Sequence, residues 1–177
     1  MHKLTTSILL ACALALAAPA LADPADDRPW SGHLGTGFGL SPDGFLLTAG
    51  LEYEVVDQLG VGPLLQLVLD DDTVVVAPTL NARYRIDLSD SGNDFLRDLE
   101  PYVQAGMGLA YVDRERRGRS DREDTEFLVN GGFGFEYNLS DRFAIGNGVM
   151  FNGMPADDAA GEDFFFTWQL VTARLRF

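Results

Sequence analysis

Several sets of residues in this 177-residue sequence have types and spacings that could do chemistry. The first is Ser31 with His33, a hydroxyl and an imidazole two positions apart. A serine beside a histidine base is the minimal equipment for acyl hydrolysis. The second is a set of opposite charges spread along extended stretches: Glu52, Glu54, Arg83, Arg85, Asp87, Glu136, Arg142, Arg174 and Arg176. If these charges are enclosed they must pair, because isolated buried charge is very costly. A third group, Arg114, Arg116, Arg117, Arg119 and Arg122, is interleaved with five acids between Asp113 and Asp124. It could grip phosphates as bidentate donors, or simply form a solvated hairpin tip. Asp70 to Asp72, and Asp157, Asp158, Glu162 and Asp163, could share divalent cations with neighbouring lipid. Acid runs of this kind are usually only solvated, and no metal ligand, cofactor or catalytic residue is assigned.

The elements that must position these groups have a period of two. In the closing stretch FFFTWQLVTARLRF, Phe177, Leu175, Ala173 and Val171 fall on one face and Arg176, Arg174 and Thr172 on the other. A strand apolar on one side and cationic on the other fits a barrel wall with lipid outside and a polar interior. The same alternation starts at Trp30 and recurs through Gly44–Val55, Leu59–Leu69, Val74–Ile86, Tyr102–Tyr111, Phe127–Asn138 and Phe143–Phe151. Eight strands result, with turns at Pro42-Asp43-Gly44, Asp57-Gln58, Asp70–Asp72 and Ser140-Asp141. Pro63 and Pro78 cannot donate to a ladder and are expected at a bulge or a strand end. Leu88 to Glu100 breaks the pattern, and Asn93 could cap a single helical turn there.

Residues 1–22 read as a secretory signal peptide: His2 and Lys3, an apolar run from Leu4 to Ala18, then Ala20-Leu21-Ala22 as a small-residue cleavage site. The run is short for a bilayer span. Cys12, the single cysteine, would leave with it, so no disulfide framework is expected. Asp23 to Pro29 is an acidic leader expected to be disordered, and residues 30–177 form one barrel domain. Removing Lys3 leaves twelve arginines against 27 acids, a net charge of −15. Such an acidic chain argues against nucleic-acid binding.

A soluble barrel, apolar inside, is the rival all-β reading. Two features oppose it. The polar face carries glycines at 35, 37, 39, 50, 60, 62, 106, 108, 132, 134, 146 and 148. A narrow eight-stranded lumen needs such small residues, whereas a solvated face does not. Aromatics also repeat at fixed spacing on the apolar face: Trp30 and Phe38, Phe45 and Tyr53, Phe143 and Phe151, then Phe127 and Tyr137. At ~3.3 Å per residue and a tilt of about 40°, these pairs span roughly 20–25 Å, the height of an outer-membrane apolar band with an aromatic belt at each interface.

With PYVQAGMGLAYV, GGFGFEYNLSDRFAI and the terminal RLRF in view, the sequence resembles the small outer-membrane β-barrel family of the OmpA/OmpX transmembrane type. The resemblance implies an all-β fold: an eight-stranded antiparallel up-and-down barrel in a bacterial outer membrane, monomeric, with its N-terminus periplasmic. It implies outer-membrane lipid and lipopolysaccharide as surroundings, and recognition of the strand ending in Phe177 by the barrel-assembly machinery. Leu88 to Glu100 is long for a periplasmic turn in that family and could form a small plug; a C-terminal peptidoglycan-binding domain is not expected.

In this frame the charges gather in the periplasmic half of the lumen, with Glu52 and Glu136 expected to pair with Arg83 and Arg174. Leu46, Leu64, Val68, Val75, Leu128, Met150 and Trp168 are expected to fill the other half, as packing or as a small apolar ligand pocket. The expected role is structural or surface-interacting, with the lumen closed. The alternatives are a small pore or hydrophobic-ligand transporter, and a lipid A-modifying enzyme. Against the enzyme, the deacylase His-x-Ser motif is absent, and Ser31 and His33 lie far from the outer leaflet.

Overall fold

The computed structural model describes residues 29–114, 122–154 and 164–177. The signal peptide, the leader up to residue 28, Arg116, Arg117, Arg119 and the Asp157–Asp163 cluster lie outside the described residues. Alternating apolar and polar side chains produce eight strands: β1 (Trp30–Leu40), β2 (Gly44–Val56), β3 (Leu59–Leu69), β4 (Thr73–Arg85), β5 (Leu99–Arg114), β6 (Arg122–Asn138), β7 (Phe143–Gly153) and β8 (Phe164–Arg176). Each pairs antiparallel with its sequence neighbour, and β8 returns to β1, closing the barrel. At the seam the Phe177 N–H donates to the Trp30 carbonyl at 2.9 Å. Among the described residues no helix is long and apolar enough to cross a membrane.

The large apolar side chains point outward, away from the lumen. Leu80 is 58% exposed, Phe133 55% and Phe38 52%, while Glu136 and Arg174 inside the barrel are each 2% exposed. A soluble protein would reverse this arrangement, because burying apolar surface is its main driving force. Here the outer face is made for hydrocarbon, and closure leaves no strand edge unpaired within it.

The barrel has two distinct ends. The proximal end carries Trp30, Phe177, the β2–β3 and β6–β7 turns, and residues 86–98. At the distal end the interior is apolar, with Leu46, Val68, Val75, Ala77, Ala110, Leu128, Met154 and Phe165 in one buried cluster. Met150 and Leu64 are buried between this cluster and the charged half.

Four expectations need correction. Trp168 does not enter the lumen; it is 47% exposed on the outer face. The cause is a bulge in β8: Thr36 pairs with Val171 but Gly37 with Gln169, and Gly146 pairs with Thr172 but Gly148 with Gln169. One extra residue flips every side chain before it to the opposite face, so Phe165, Thr167 and Gln169 point inward and Leu170 and Val171 both point outward. Second, neither Pro63 nor Pro78 marks a bulge or an end; Pro63 pairs with Leu80 and Pro78 with Leu65 in an unbroken register. Third, Leu88–Glu100, which could have formed a plug, is a short irregular segment at the proximal mouth followed by the start of a strand. Asn93 accepts a hydrogen bond from the Phe95 N–H at 3.0 Å and caps a single turn, α1 (Asp94–Arg97). Phe95 stacks on Tyr137, ring centroids 5.5 Å apart, outside the lumen. Fourth, β5 begins at Leu99, which puts Glu100 on a strand.

Candidate functional site: the charged half of the lumen

The alternation of five strands aims one charged residue or pair at the proximal half of the interior. Glu52 and Glu54 come from β2, Arg83 and Arg85 from β4, Glu100 from β5, Glu136 from β6, and Arg174 and Arg176 from β8. His33 on β1 completes the set. Among the described residues, four arginines meet four glutamates.

Glu136 sits at the centre. Its Oε1 lies 2.8 Å from Arg83 Nη1 and its Oε2 2.9 Å from Arg174 Nε. Glu52 contacts Arg85 Nη2 closely and Arg83 Nε at 3.7 Å. Glu136 and Glu100 occupy directly opposed positions on β6 and β5. Like charges so placed repel, and Arg174 lies between them, its Nη2 2.6 Å from Glu100 Oε2. Asn138 adds a hydrogen bond to Glu100 at 2.8 Å, and Gln104 accepts from Arg83 Nε and Nη2 at 3.1 and 2.9 Å. The Arg83 guanidinium also lies 4.3 Å from the Tyr102 ring centroid, a cation–π contact in a water-poor space.

Glycines make room for these long side chains. A Cβ at Gly60 would collide with the Glu52 carboxylate, and one at Gly148 with the Tyr102 hydroxyl. What space remains beside His33, Asn81 and Arg83 is a cavity of about 20 Å³, room for roughly one water. The lumen around His33 and Arg83 is therefore filled.

The expected pairings of Glu52 and Glu136 with Arg83 and Arg174 correspond to contacts at Glu136–Arg83, Glu136–Arg174 and, more loosely, Glu52–Arg83. Glu54 and Arg176 meet at 3.4 Å nearer the mouth. Arg142 does not join the cluster. It is exposed in the β6–β7 turn, where its backbone N–H bonds the Ser140 hydroxyl at 3.4 Å. Asp87 is likewise outside the lumen, exposed and accepting the Ser89 N–H at 2.8 Å. Two members escaped the sequence reading. Glu100 shares parity with Tyr102 and Gln104, a signal that was legible across Pro101. His33 shares parity with Ser31, but its partners lie on distant strands. Arg114 and Arg122 pair across the distal end of β5 and β6.

The geometry around Ser31 and His33 is not that of an acyl-transfer dyad. Arg83 Nη1 lies 3.3 Å from His33 Nδ1. A guanidinium can only donate, so Nδ1 is the acceptor and Nε2 carries the proton. Nε2 then faces both Glu52 Oε2, at 3.1 Å, and Ser31 Oγ, at 3.4 Å. A general base would need a lone pair toward the serine and a carboxylate on the opposite nitrogen. Here the carboxylate shares the serine's nitrogen and a cation holds the other.

A closed antiparallel barrel with lipid-compatible exterior and charge-filled interior defines a class, the small transmembrane β-barrel. The sequence matches the outer membrane protein beta-barrel domain family over residues 8–165, and the chain belongs to that family and to the bacterial outer membrane. No curated protein matches it. Among solved structures, the chain is similar to the N-terminal β-barrel domain of Pseudomonas aeruginosa OprF, with a TM-score of 0.65 and 14% identity over 85% of this chain and 98% of that one. Neisserial surface protein A gives a TM-score of 0.65 and 14% identity over 84% and 96%. The outer membrane enzyme PagL gives 0.52 and 12% over 83% and 99%. Identities this low speak for the shared fold alone.

Proposed function

We propose that this protein is a closed, non-conducting outer-membrane barrel whose role is structural or surface-interacting, and that it is not an enzyme. The observation that carries this reading is the packed centre of the lumen: Glu136 interlocked with Arg83 and Arg174, with space beside Arg83 for about one water. Outer-membrane barrels keep short turns in the periplasm, and the short β2–β3 and β6–β7 turns at the proximal, charged end support a periplasmic placement of that end, with the distal end at the cell surface. Arg114, Arg116, Arg117, Arg119 and Arg122 then belong to a surface hairpin suited to lipopolysaccharide phosphates. The strand ending in Phe177 serves as the assembly signal, residues 1–22 are cleaved on export, and the barrel is a monomer.

Liposome swelling tests the closed state. Vesicles carrying the purified barrel should swell in isosmotic arabinose no faster than empty ones, and rapid swelling would establish a pore instead. The enzyme alternative is opposed by the His33 environment. Lipid A mass spectra from cells with and without the protein should be identical, and a changed acyl count would overturn this part of the reading.

A further inference from the structure

Below the charge cluster, residues 86–89 and Arg97 border a pocket of about 400 Å³ at the proximal mouth, within the range of small-molecule sites. Its floor is Arg85, only 3% exposed, with Glu54, Glu100 and Arg176 around it. Its exposed rim includes Asp57 and Asp87.

The floor is incompletely bonded. Arg85 commits Nη2 to Glu52, but its Nε and Nη1 are buried without a hydrogen-bond partner, and so are Arg176 Nε and Glu54 Oε1. The gaps between them are 3.7 Å for Arg85 Nη1 to Glu54 Oε1, 3.4 Å for Arg176 Nε to the same oxygen, and 4.0 Å for Arg85 Nε to Glu100 Oε2. Buried charged donors left open in this way are costly and call for an acceptor. A plain anion is a poor match, because four carboxylates line the pocket against three guanidiniums. A plain cation would face Arg85. A sugar would ordinarily find an aromatic platform, and none of the lining residues is aromatic.

We propose that this pocket is a binding site for a small zwitterion of the amino-acid or dipeptide class. The ligand carboxylate accepts from Arg85 and Arg176, and its ammonium group meets Asp57 and Asp87 at the rim. Asp87 is already oriented, since its Oδ1 accepts the Ser89 N–H at 2.8 Å.

Alanyl-alanine, titrated into the ¹⁵N-labelled full-length barrel in micelles, tests the site through the arginine Nε–H resonances. Arg85 and Arg176 should shift saturably. Amidating the peptide's C-terminus or acetylating its N-terminus should each weaken binding at least about tenfold, the loss of one charge-assisted bond. The doubly substituted Asp57→Asn/Asp87→Asn barrel should lose affinity for alanyl-alanine but not for its N-acetyl form; both positions are exposed turn residues, and heat-modifiable gel migration confirms that the variant is folded. No saturable shift, equal binding of the blocked peptides, or an unaffected double variant would each overturn the assignment.

Discussion

Glu136 on β6 and Arg174 on β8, each 2% exposed, face one another at 2.9 Å inside the barrel. Removing one partner of such a pair leaves the other as a buried, uncompensated charge, which costs about 3–5 kcal/mol. Glu136→Gln and Arg174→Gln should therefore each lower unfolding stability by that amount in urea titrations of the micelle-embedded barrel. The double variant should lose less than the two combined, by about 0.5–3 kcal/mol of coupling. Additive losses would mean that the two residues do not act as a pair.

Gly148 and Tyr102 make a narrower test. A methyl group at 148 would run into the Tyr102 hydroxyl, while its next nearest neighbours lie at an ordinary 3.4 Å. Gly148→Ala should cost about 1–3 kcal/mol as overpacking. Adding Tyr102→Phe removes the offending oxygen and should restore most of that loss, as read by heat-induced mobility shift. A Gly148→Ala barrel insensitive to the second substitution would show that the tyrosine lies elsewhere.

The β8 bulge makes Trp168 a lipid-facing reporter. In a Trp30→Phe background, Trp168 is the only remaining tryptophan of the sequence. Its fluorescence should be quenched strongly by brominated acyl chains and hardly at all by aqueous iodide. The opposite pattern would place it inside, as parity counted from Phe177 alone implies.

That contrast shows how far the sequence could be read and where it stopped. Alternation over Phe45–Val55 or Val103–Tyr111 reports the facing of each residue directly, because apolar side chains on one side and glycine or charge on the other leave no ambiguity. A bulge leaves no such mark. Leu170 and Val171 are two apolar neighbours like many others, and only the register on both flanking strands reveals the slip. The charged cluster was legible as a set, since its members had to be enclosed and paired. The pairing of Glu136 with Arg83 and Arg174 was legible too, but that of Glu52 with Arg85 was not, because which arginine reaches which carboxylate depends on shear between strands. Glu100 lies next to the irregular segment, and only its parity with Tyr102 and Gln104 across Pro101 marked it as facing inward. Arg142 was misplaced because two residues decide whether a strand end points into the lumen or a turn points into water.

Glu100 and Arg142 can be compared directly. Glu100 accepts from Arg174 at 2.6 Å and from Asn138 at 2.8 Å, and lies 3.5 Å from Arg176. Glu100→Gln should cost about 1.5–3 kcal/mol, as expected for hydrogen bonds to a charged group. Arg142→Gln, at an exposed turn, should stay within about 0.5 kcal/mol of the parent. Equal effects in the same urea titration would contradict the placement of both residues.

The claim that the interlocked charges seal the lumen is tested most directly by single-channel recording in planar bilayers. The purified barrel should insert without producing steady current steps. Glu136→Ala/Arg174→Ala, which removes both side chains at the centre of the cluster, should produce them, provided that heat-modifiable migration shows it folded. Stable ohmic steps from the unmodified protein would contradict the account.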